Sequence, residues 1–161
     1  MPRNPLFKEL IYSPTLLLAF GFGSGLVNKA PGTFGTLAAI PVWWLLSNLP
    51  LATYVVIIYL AAVIGIIVCE KASSKIGVHD HGGIVWDEFV GFWIAMCPVS
   101  PSVSNVVVGF VLFRGLDILK PWPINWLDQN IHGGFGIMLD DIVSGLVTAL
   151  LMVMLVNLEF L

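Results

Sequence analysis

The uncharged stretch Leu51–Cys69 limits most strongly how this chain can fold. About 20 apolar residues are enough for an α-helix to cross the hydrocarbon core of a bilayer. In that medium the backbone N–H and C=O groups must be satisfied within the segment, as they are in a helix. A second segment of sufficient length, Gly136–Leu158, lies near the C-terminus. These two segments predict a helical membrane protein.

Composition extends this prediction to the whole chain. Of the 161 residues, 58% are hydrophobic and 11% are charged, whereas a soluble domain is typically about 25% charged. So few charges could not cover the surface of a water-soluble globule of this size. We therefore predict an all-α, polytopic membrane bundle that forms one domain over residues 1–161. The chain has no basic tract that would indicate nucleic-acid binding.

About five segments are candidate membrane spans: Thr36–Leu49, Leu51–Cys69, Ile84–Cys97, Val103–Leu119 and Gly136–Leu158. The second and fifth are long enough to cross unaided, whereas the first and third are short. Upstream, Ile11–Phe22 is apolar but is interrupted by Ser13, Pro14 and the GFGSG sequence. These interruptions favour a re-entrant or interfacial helix. The N-terminus resembles a signal peptide but has no clear small-x-small cleavage site, so we expect it in the mature protein.

The positions of lysine and arginine predict an orientation. If the five segments alternate across the membrane, one side receives all of the basic residues, namely Arg3, Lys8, Lys29, Lys71, Lys75, Arg114 and Lys120. The turns at Pro50 and Pro98–Ser102 fall on the other side and carry none. The positive-inside rule assigns the basic side to the cytoplasm. The same assignment brings the polar stretches of the chain to that face, which predicts that they form one site.

Carboxylates within the apolar stretches are the main candidates for chemistry, because ionisable groups at membrane depth are costly and mark functional sites. Asp87 and Glu88 lie in VHDHGGIVWDEFVG, Asp117 lies in FRGLDILKPWP, and Asp140 and Asp141 lie in MLDDIVSG. Adjacent residues of a helix point about 100° apart. Neither adjacent pair is therefore expected to share one ligand direction.

These five carboxylates are predicted to hold a metal ion against a phosphate. Acidic residues of facing helices can surround a cation in the core of a bundle. Magnesium prefers oxygen ligands and combines a few carboxylates with water and substrate phosphate. The alternative is that both acidic pairs lie near helix N-termini and complement the helix dipole.

Basic residues accompany the acids in the stretch FRGLDILKPWP. Arg114, Asp117 and Lys120 recur every three residues and form a stripe along one helix face. Arg114 could hold a phosphate bidentately, and Lys120 could act as a point charge. The alternative is an ion-pair ladder that satisfies itself and marks the membrane boundary.

The segment NKAPGTFGT, from Asn28 to Thr36, is a second candidate for phosphate binding. Pro31 and the following glycine indicate a turn, and Thr33 or Thr36 could cap the next helix. Backbone amides and hydroxyls at a helix N-terminus form an anion site. The segment does not match a nucleotide P-loop.

The histidines give weaker indications. His79 and His81 lie beside carboxylates, but no third close ligand supports a zinc site. Proton transfer to the leaving oxygen, or phosphate binding, is the better interpretation of this pair. His132 is equally well explained as an interfacial polar residue.

The remaining distinctive residues are expected to be structural. Cys69 and Cys97 have no ligand spacing and are predicted to be small buried apolar residues. Tryptophan favours membrane interfaces, so we expect belt positions for most of Trp43, Trp44, Trp86, Trp93, Trp122 and Trp126.

Four stretches together closely resemble the bacterial phosphatidylglycerophosphatase A family: GFGSGLVNKAPGTFGTLAAIP, GVHDHGGIVWDEFVG, FRGLDILKPWPINWLDQNIHGG and GIMLDDIVSG. The resemblance covers about Gly21–Gly145. It implies a magnesium-dependent phosphatase of the inner membrane that converts phosphatidylglycerophosphate to phosphatidylglycerol. The acidic site residues that it implies are Asp80, Asp87, Glu88, Asp117, Asp140 and Asp141. For phosphate binding it implies Thr33, Arg114 and Lys120.

We therefore expect metal-assisted hydrolysis of a phosphomonoester at the cytoplasmic face. Catalysis is assigned to the six acids and His81, and phosphate binding to Asn28, Thr33, Thr36, Arg114 and Lys120. One alternative is a lipid phosphotransferase, which would be expected to carry a spaced run of aspartates that is absent here. Another is a cation or proton transporter, in which acids would be distributed across the membrane depth.

Overall fold

The computed structural model describes residues 4–78 and 81–160, and all regular structure within those ranges is helical. The prediction of an all-α fold is confirmed. The helices are α1 (Phe7–Ile11), α2 (Pro14–Ala19), α3 (Pro31–Leu46), α4 (Leu51–Ile76), α5 (Trp86–Ala95), α6 (Val103–Leu119), α7 (Ile124–Asn130) and α8 (Gly133–Asn157), with a 3-10 segment at Gly21–Leu26 between α2 and α3.

The N-terminal apolar stretch forms several short elements instead of the single predicted helix over Ile11–Phe22. The Ser13 hydroxyl accepts a hydrogen bond from a backbone N–H of the next turn, and Pro14 occupies the first position of α2. Both are helix-starting signals, so the chain breaks between α1 and α2. After α2, Gly21 and Gly23 have φ values of 52° and 102°, which end regular α-helical structure.

Helix α3 begins earlier than predicted. Thr33 and Thr36 were candidate caps, but the helix starts at Pro31, preceded by Ala30 in the left-handed conformation with φ 51°. Proline fixes its own φ at a helical value and lacks the N–H that a first helical residue leaves unused. The proline therefore determines where the helix starts, and both threonines lie inside it.

Two helices of the described residues, α4 and α8, are long and apolar enough to cross a membrane. They correspond to the second and fifth candidate segments, the two predicted to cross unaided. Helices α3 and α6 contain 16 and 17 residues. Helix α5 has 10 residues, so it is about 15 Å long at a rise of 1.5 Å per residue, which is half of a hydrocarbon core.

Helix α5 is the centre of the bundle. It packs against α3, α4, α6 and α8, most extensively against α8, and nine of its ten residues are buried. The indole N–H of Trp86 donates to the carbonyl of Ala61 at 3.1 Å, and that of Trp93 donates to the carbonyl of Ala39 at 3.1 Å. This short helix is therefore held by its neighbours on all sides.

Three of the six tryptophans predicted at the membrane interface lie in the core instead. Trp43, Trp86 and Trp93 are at most 8% exposed and lie in the core, where the last two donate to the backbone carbonyls of neighbouring helices. A buried indole with a satisfied N–H is stable in a core. Trp44, Trp122 and Trp126 are exposed, and a belt position stays a prediction for these three.

Two glycines allow α5 and α8 to approach closely. A side chain at Gly145 would collide with the carbonyl oxygen of Gly91. A side chain at Gly91 would lie 2.7 Å from the carbonyl oxygen of Asp141 and 2.8 Å from the ring of Phe113. Small residues permit such backbone contact between membrane helices. This contact positions the acidic residues of α5 beside those of α8.

We expect Gly145→Ala to destabilise the fold, since the new methyl group would meet backbone and not a flexible side chain. Forced overpacking of this kind costs about 1–3 kcal/mol, and the thermal midpoint in detergent should fall by several degrees. Gly115→Ala on α6 is the matched control, because a Cβ there meets no atom within 4 Å. That variant should be as stable as the parent or slightly more so. Equal midpoints for both variants would contradict the close α5–α8 contact.

Candidate active site

A polar cavity of about 440 Å³ lies between α5, α6, α7 and α8. Its wall contains all five carboxylates singled out from the apolar stretches of the sequence, namely Asp87, Glu88, Asp117, Asp140 and Asp141. Lys120 and Asp128 complete the charged part of the wall. Acidic residues separated by more than 50 positions in the chain therefore meet in one place.

The two acidic pairs occupy different positions along their helices. Asp87 and Glu88 occupy the first turn of α5, where the helix dipole also favours negative charge. Asp140 and Asp141 lie about two turns inside α8, which begins at Gly133. The dipole effect falls off within the first turn, so helix-end electrostatics do not account for this second pair. The alternative explanation applies to α5 alone.

The acids are recessed within the bundle, below the start of α8. Asp140 is the seventh residue after Gly133, which places the acids of α8 about 11 Å below the start of that helix. On the facing side, the Trp86 indole packs between Ala61 and Gly65, in the middle of α4. The short α5 starts deep in the bundle. Its first turn, which carries Asp87 and Glu88, therefore lies at the same depth as Asp140 and Asp141.

Adjacent acids place their oxygens in the same candidate ligand group, although helical geometry predicted that they would point in different directions. Oxygens of Asp87 and Glu88 lie within 4.8 Å of each other and of an oxygen of Asp141. Oxygens of Asp140 and Asp141 likewise share a group with Asp117. The Cα–Cβ bonds of neighbours diverge by about 100°, but rotation about the side-chain bonds turns the carboxylates back toward one point.

These groups fit a divalent cation. Each consists of three carboxylates whose oxygens are mutually within 4.8 Å, the donor type that magnesium prefers. Within residues 4–78 and 81–160, neither Oε2 of Glu88 nor Oδ1 of Asp141 has a hydrogen-bond partner, and both atoms are buried. Buried carboxylate oxygens need such partners or a counter-ion. The chemistry of the wall therefore suits a bound cation.

Arg114 lies behind the acids on α6. Its Nη1 atom is 2.5 Å from Oδ2 of Asp117 and 3.7 Å from Oε1 of Glu88. The first contact is the i, i+3 pair that the ion-pair-ladder interpretation required. The second connects α6 to α5 and lies outside that ladder.

Lys120 connects three elements at the wall of the cavity. Its ammonium group donates to Asp128 of α7 at 2.6 Å and to Asp140 of α8 at 2.7 Å. Burial alone would lower the pKa of Lys120, but the two carboxylates outweigh burial and raise that pKa above its ordinary value. Lys120 therefore stays positively charged at neutral pH, and it does not continue the Arg114–Asp117 ladder.

The N-terminus of α3 reaches the same charged cluster through Gly32. A side chain at Gly32 would collide with Oε1 of Glu88 and lie 3.0 Å from the Arg114 guanidinium. The two predicted phosphate-binding threonines are not at the cavity wall. The Thr36 hydroxyl donates to the Gly32 carbonyl at 2.9 Å, and the Thr33 backbone N–H donates to the Ala30 carbonyl. Their role in phosphate binding stays a prediction.

Two further predicted residues, Asn28 and His81, lie at a neighbouring cavity of about 410 Å³. Gly82 belongs to the walls of both cavities. His81 is buried, and its Nδ1 accepts the N–H of Gly83 at 3.1 Å. On a neutral imidazole the proton then lies on Nε2. The other two members of this stretch, His79 and Asp80, lie outside the described residues.

Three residues of this region were not identified from the sequence. Asp128 belongs to the short α7, and no local pattern connects it to Lys120. Gly32 was considered only as part of a turn. Glu70 of α4 accepts the backbone N–H of Gly134 and so satisfies one donor at the start of α8. Only the three-dimensional packing reveals these contacts.

Comparison with known proteins gives a consistent assignment. The family model for phosphatidylglycerophosphatase A matches residues 17–156. The chain is 51% identical over 138 residues to phosphatidylglycerophosphatase A of Escherichia coli strain K12, which covers 85% of this chain and 80% of that protein. It is 45% identical over 147 residues to phosphatidylglycerophosphatase A of Haemophilus influenzae, which covers 89% of this chain and 90% of that protein.

A third relative bears a different name. A Bacteroides thetaiotaomicron protein whose name refers to a phosphatidylinositol-3-phosphatase is 35% identical over 144 residues, which covers 84% of this chain and 89% of that protein. No solved structure matches the chain. The extent of the family match and its agreement with the two proteins named above show that the chain belongs to the phosphatidylglycerophosphatase A family.

Proposed function

We propose that this protein is a magnesium-dependent phosphatase that hydrolyses phosphatidylglycerophosphate to phosphatidylglycerol and phosphate. One observation carries the proposal: five carboxylates from three helices, four of them buried, meet in one cavity beside Arg114 and Lys120. Phosphoryl transfer depends on positioning and on stabilisation of charge, which such a cavity can supply. Family membership adds the substrate.

Magnesium would be held by the carboxylates that line the cavity, namely Asp87, Glu88, Asp117, Asp140 and Asp141. Bound there, it would polarise the phosphoryl oxygens and lower the pKa of a bound water. The same carboxylates exclude an unaccompanied phosphate anion, because like charges repel strongly in a partly dehydrated cavity.

Arg114 and Lys120 would bind the phosphoryl oxygens. An ammonium group has three N–H donors, and contacts of Lys120 with Asp128 and Asp140 use two of them. The Nε of Arg114 is buried and has no hydrogen-bond acceptor among the described residues. Each cation thus retains donor capacity while its carboxylate partners fix its position. Charge that develops on the phosphate would be stabilised by groups already in place.

The alternative functions suit the geometry less well. A transporter would need acids spaced along the membrane depth, whereas the five acids of the apolar stretches share one cavity. A phosphotransferase would need a second lipid substrate. The relative named for phosphatidylinositol 3-phosphate makes that lipid a useful second substrate in the assay below.

We further propose a multi-pass protein of the bacterial inner membrane, with about five crossings and the acidic cavity reached from the cytoplasm. The one-sided distribution of lysine and arginine supports this orientation. Helices α4 and α8 have sufficient length and apolar character. Helices α3 and α6 are a few residues shorter, and α5 would cross only half of the membrane.

The direct test of function is phosphate release by the purified protein in detergent. We expect turnover of phosphatidylglycerophosphate in the presence of magnesium and none in excess chelator, with recovery when magnesium is restored. Calcium should restore less activity, because it is larger and less strict in geometry. Phosphatidylinositol 3-phosphate, tested in parallel, should release phosphate more slowly.

Two variants test whether phosphate release depends on the cavity. Asp141→Asn removes a charge that faces the proposed cation and should lower turnover at least about a hundredfold, equivalent to roughly 3 kcal/mol. Glu159→Gln is the control, because this carboxylate is exposed near the C-terminus and its loss should leave turnover unchanged. Full activity in chelator, or an active Asp141→Asn protein, would be inconsistent with the proposed site.

The orientation is tested by cysteine labelling in intact cells. Ser74 at the end of α4 and Ser100 before α6 are both exposed and lie at opposite ends of the proposed bundle. In a Cys69→Ala, Cys97→Ala background, Ser100→Cys should react with a membrane-impermeant maleimide from outside. Ser74→Cys should react only after the cells are opened. Labelling of both positions from the same side would overturn the topology.

A further inference from the structure

We infer that the cavity holds two divalent cations and that Asp141 bridges them. This inference rests on the proposed function and specifies its metal centre. One candidate group consists of Asp87, Glu88 and Asp141, and the other of Asp117, Asp140 and Asp141. A carboxylate has two oxygens, so the shared Asp141 can serve both groups. Two-metal centres for displacement at phosphorus place their ions about 3.5–4 Å apart.

Burial of the shared residue supports this assignment. Asp141 is 2% exposed and Glu88 is 9% exposed. Within the part of the chain that the structure describes, Oδ1 of Asp141 and Oε2 of Glu88 have no hydrogen-bond partner. An ionised carboxylate in such a place is strongly unfavourable unless a positive charge lies against it. Arg114 is 3.7 Å from the other oxygen of Glu88, Oε1. Oε2 of Glu88 and Oδ1 of Asp141 are therefore left for a cation.

The charge of the site favours two ions over one. Six carboxylates line the cavity, and two cationic side chains, Arg114 and Lys120, form ion pairs with them. With all six carboxylates ionised, six negative and two positive charges give a formal charge of −4. One divalent ion would leave −2, which repels the dianion of a phosphomonoester. Two divalent ions neutralise the site, so that the substrate phosphate can enter.

The two positions are not equivalent. In the second group, Asp117 contacts Arg114 at 2.5 Å and Asp140 contacts Lys120 at 2.7 Å. A cation there must compete with both ion pairs. In the first group, the contact between Arg114 and Glu88 is longer, at 3.7 Å. The first position should therefore bind its ion more tightly.

This asymmetry gives the second ion a further role. With Asp117 and Asp140 engaged by a cation, these two carboxylates would hold Arg114 and Lys120 less strongly. The two side chains then have more donors for the phosphoryl oxygens of the substrate. Loading of the second position would thus prepare the phosphate-binding residues.

Manganese is a suitable probe, because it binds oxygen ligands in the manner of magnesium and is paramagnetic. The purified full-length protein is titrated with Mn²⁺ alone, in detergent, and bound metal is measured by equilibrium dialysis and by electron paramagnetic resonance. We expect two Mn²⁺ per chain with different affinities. When both are bound, the spectrum should show exchange coupling between neighbouring ions.

Variants assign the two positions. Asp117→Asn should remove the weaker ion and the coupling while one Mn²⁺ remains. Asp141→Asn should remove the coupling and weaken binding at both positions. Asp128→Asn is the matched control, because this carboxylate also contacts Lys120 but belongs to neither group. It should still bind two coupled ions.

Saturation at one Mn²⁺ per chain, or two ions without coupling, would overturn the inference whether or not the variants fold. An active phosphatase with one ion would leave the proposed function intact. Two coupled ions in a protein that does not hydrolyse phosphatidylglycerophosphate would contradict the function alone.

Discussion

The burial of carboxylates inside an apolar bundle is the constraint on which the rest of the structure depends. Asp87, Glu88, Asp140 and Asp141 are each at most 9% exposed, and desolvation of such groups is costly. The structure accommodates them by gathering them around one cavity, beside Arg114 and Lys120. Dispersed through the bundle, each acid would need its own counter-charge.

The short α5 makes this gathering possible. Because it spans about half of a hydrocarbon core, its first turn lies inside the bundle and not at its surface. The Gly91–Gly145 contact then brings its backbone against that of α8. Aromatic packing around Trp86 and Phe89, whose rings stack at 5.7 Å, fills the space beside the helix. Close helix packing, burial of α5 and convergence of the acids are thus parts of one arrangement.

Features with local signals could be predicted from the sequence. Helix α6 has the predicted bounds Val103–Leu119, because Ser102 caps its start and Pro121 follows its end. The five acids of the cavity were identified because charged residues are rare in apolar stretches. Family membership was also predicted correctly from the motifs.

Apart from the start of α3, which Pro31 determines locally, the errors concern relations between elements. The start of α3 at Pro31 displaced Thr33 and Thr36 from the positions expected of caps. Asp128 meets Lys120 only because α7 folds back over the cavity. The joint action of adjacent acids depends on side-chain torsions, which helical periodicity does not describe. The depth of the site depends on the register between α5, α4 and α8, and single-sequence patterns contain no information about register.

The most direct test of the account is the thermal midpoint of the parent and of Asp141→Asn, each with chelator and with magnesium. If Asp141 is a buried charge retained for cations, magnesium at a hundred times the Kd of a position should stabilise the parent by about 2.7 kcal/mol for each ion bound. In chelator, Asp141→Asn should be at least as stable as the parent, and magnesium should raise its midpoint much less. A parent that magnesium does not stabilise, together with an Asp141→Asn protein that melts well below it, would make this carboxylate structural and would contradict the account.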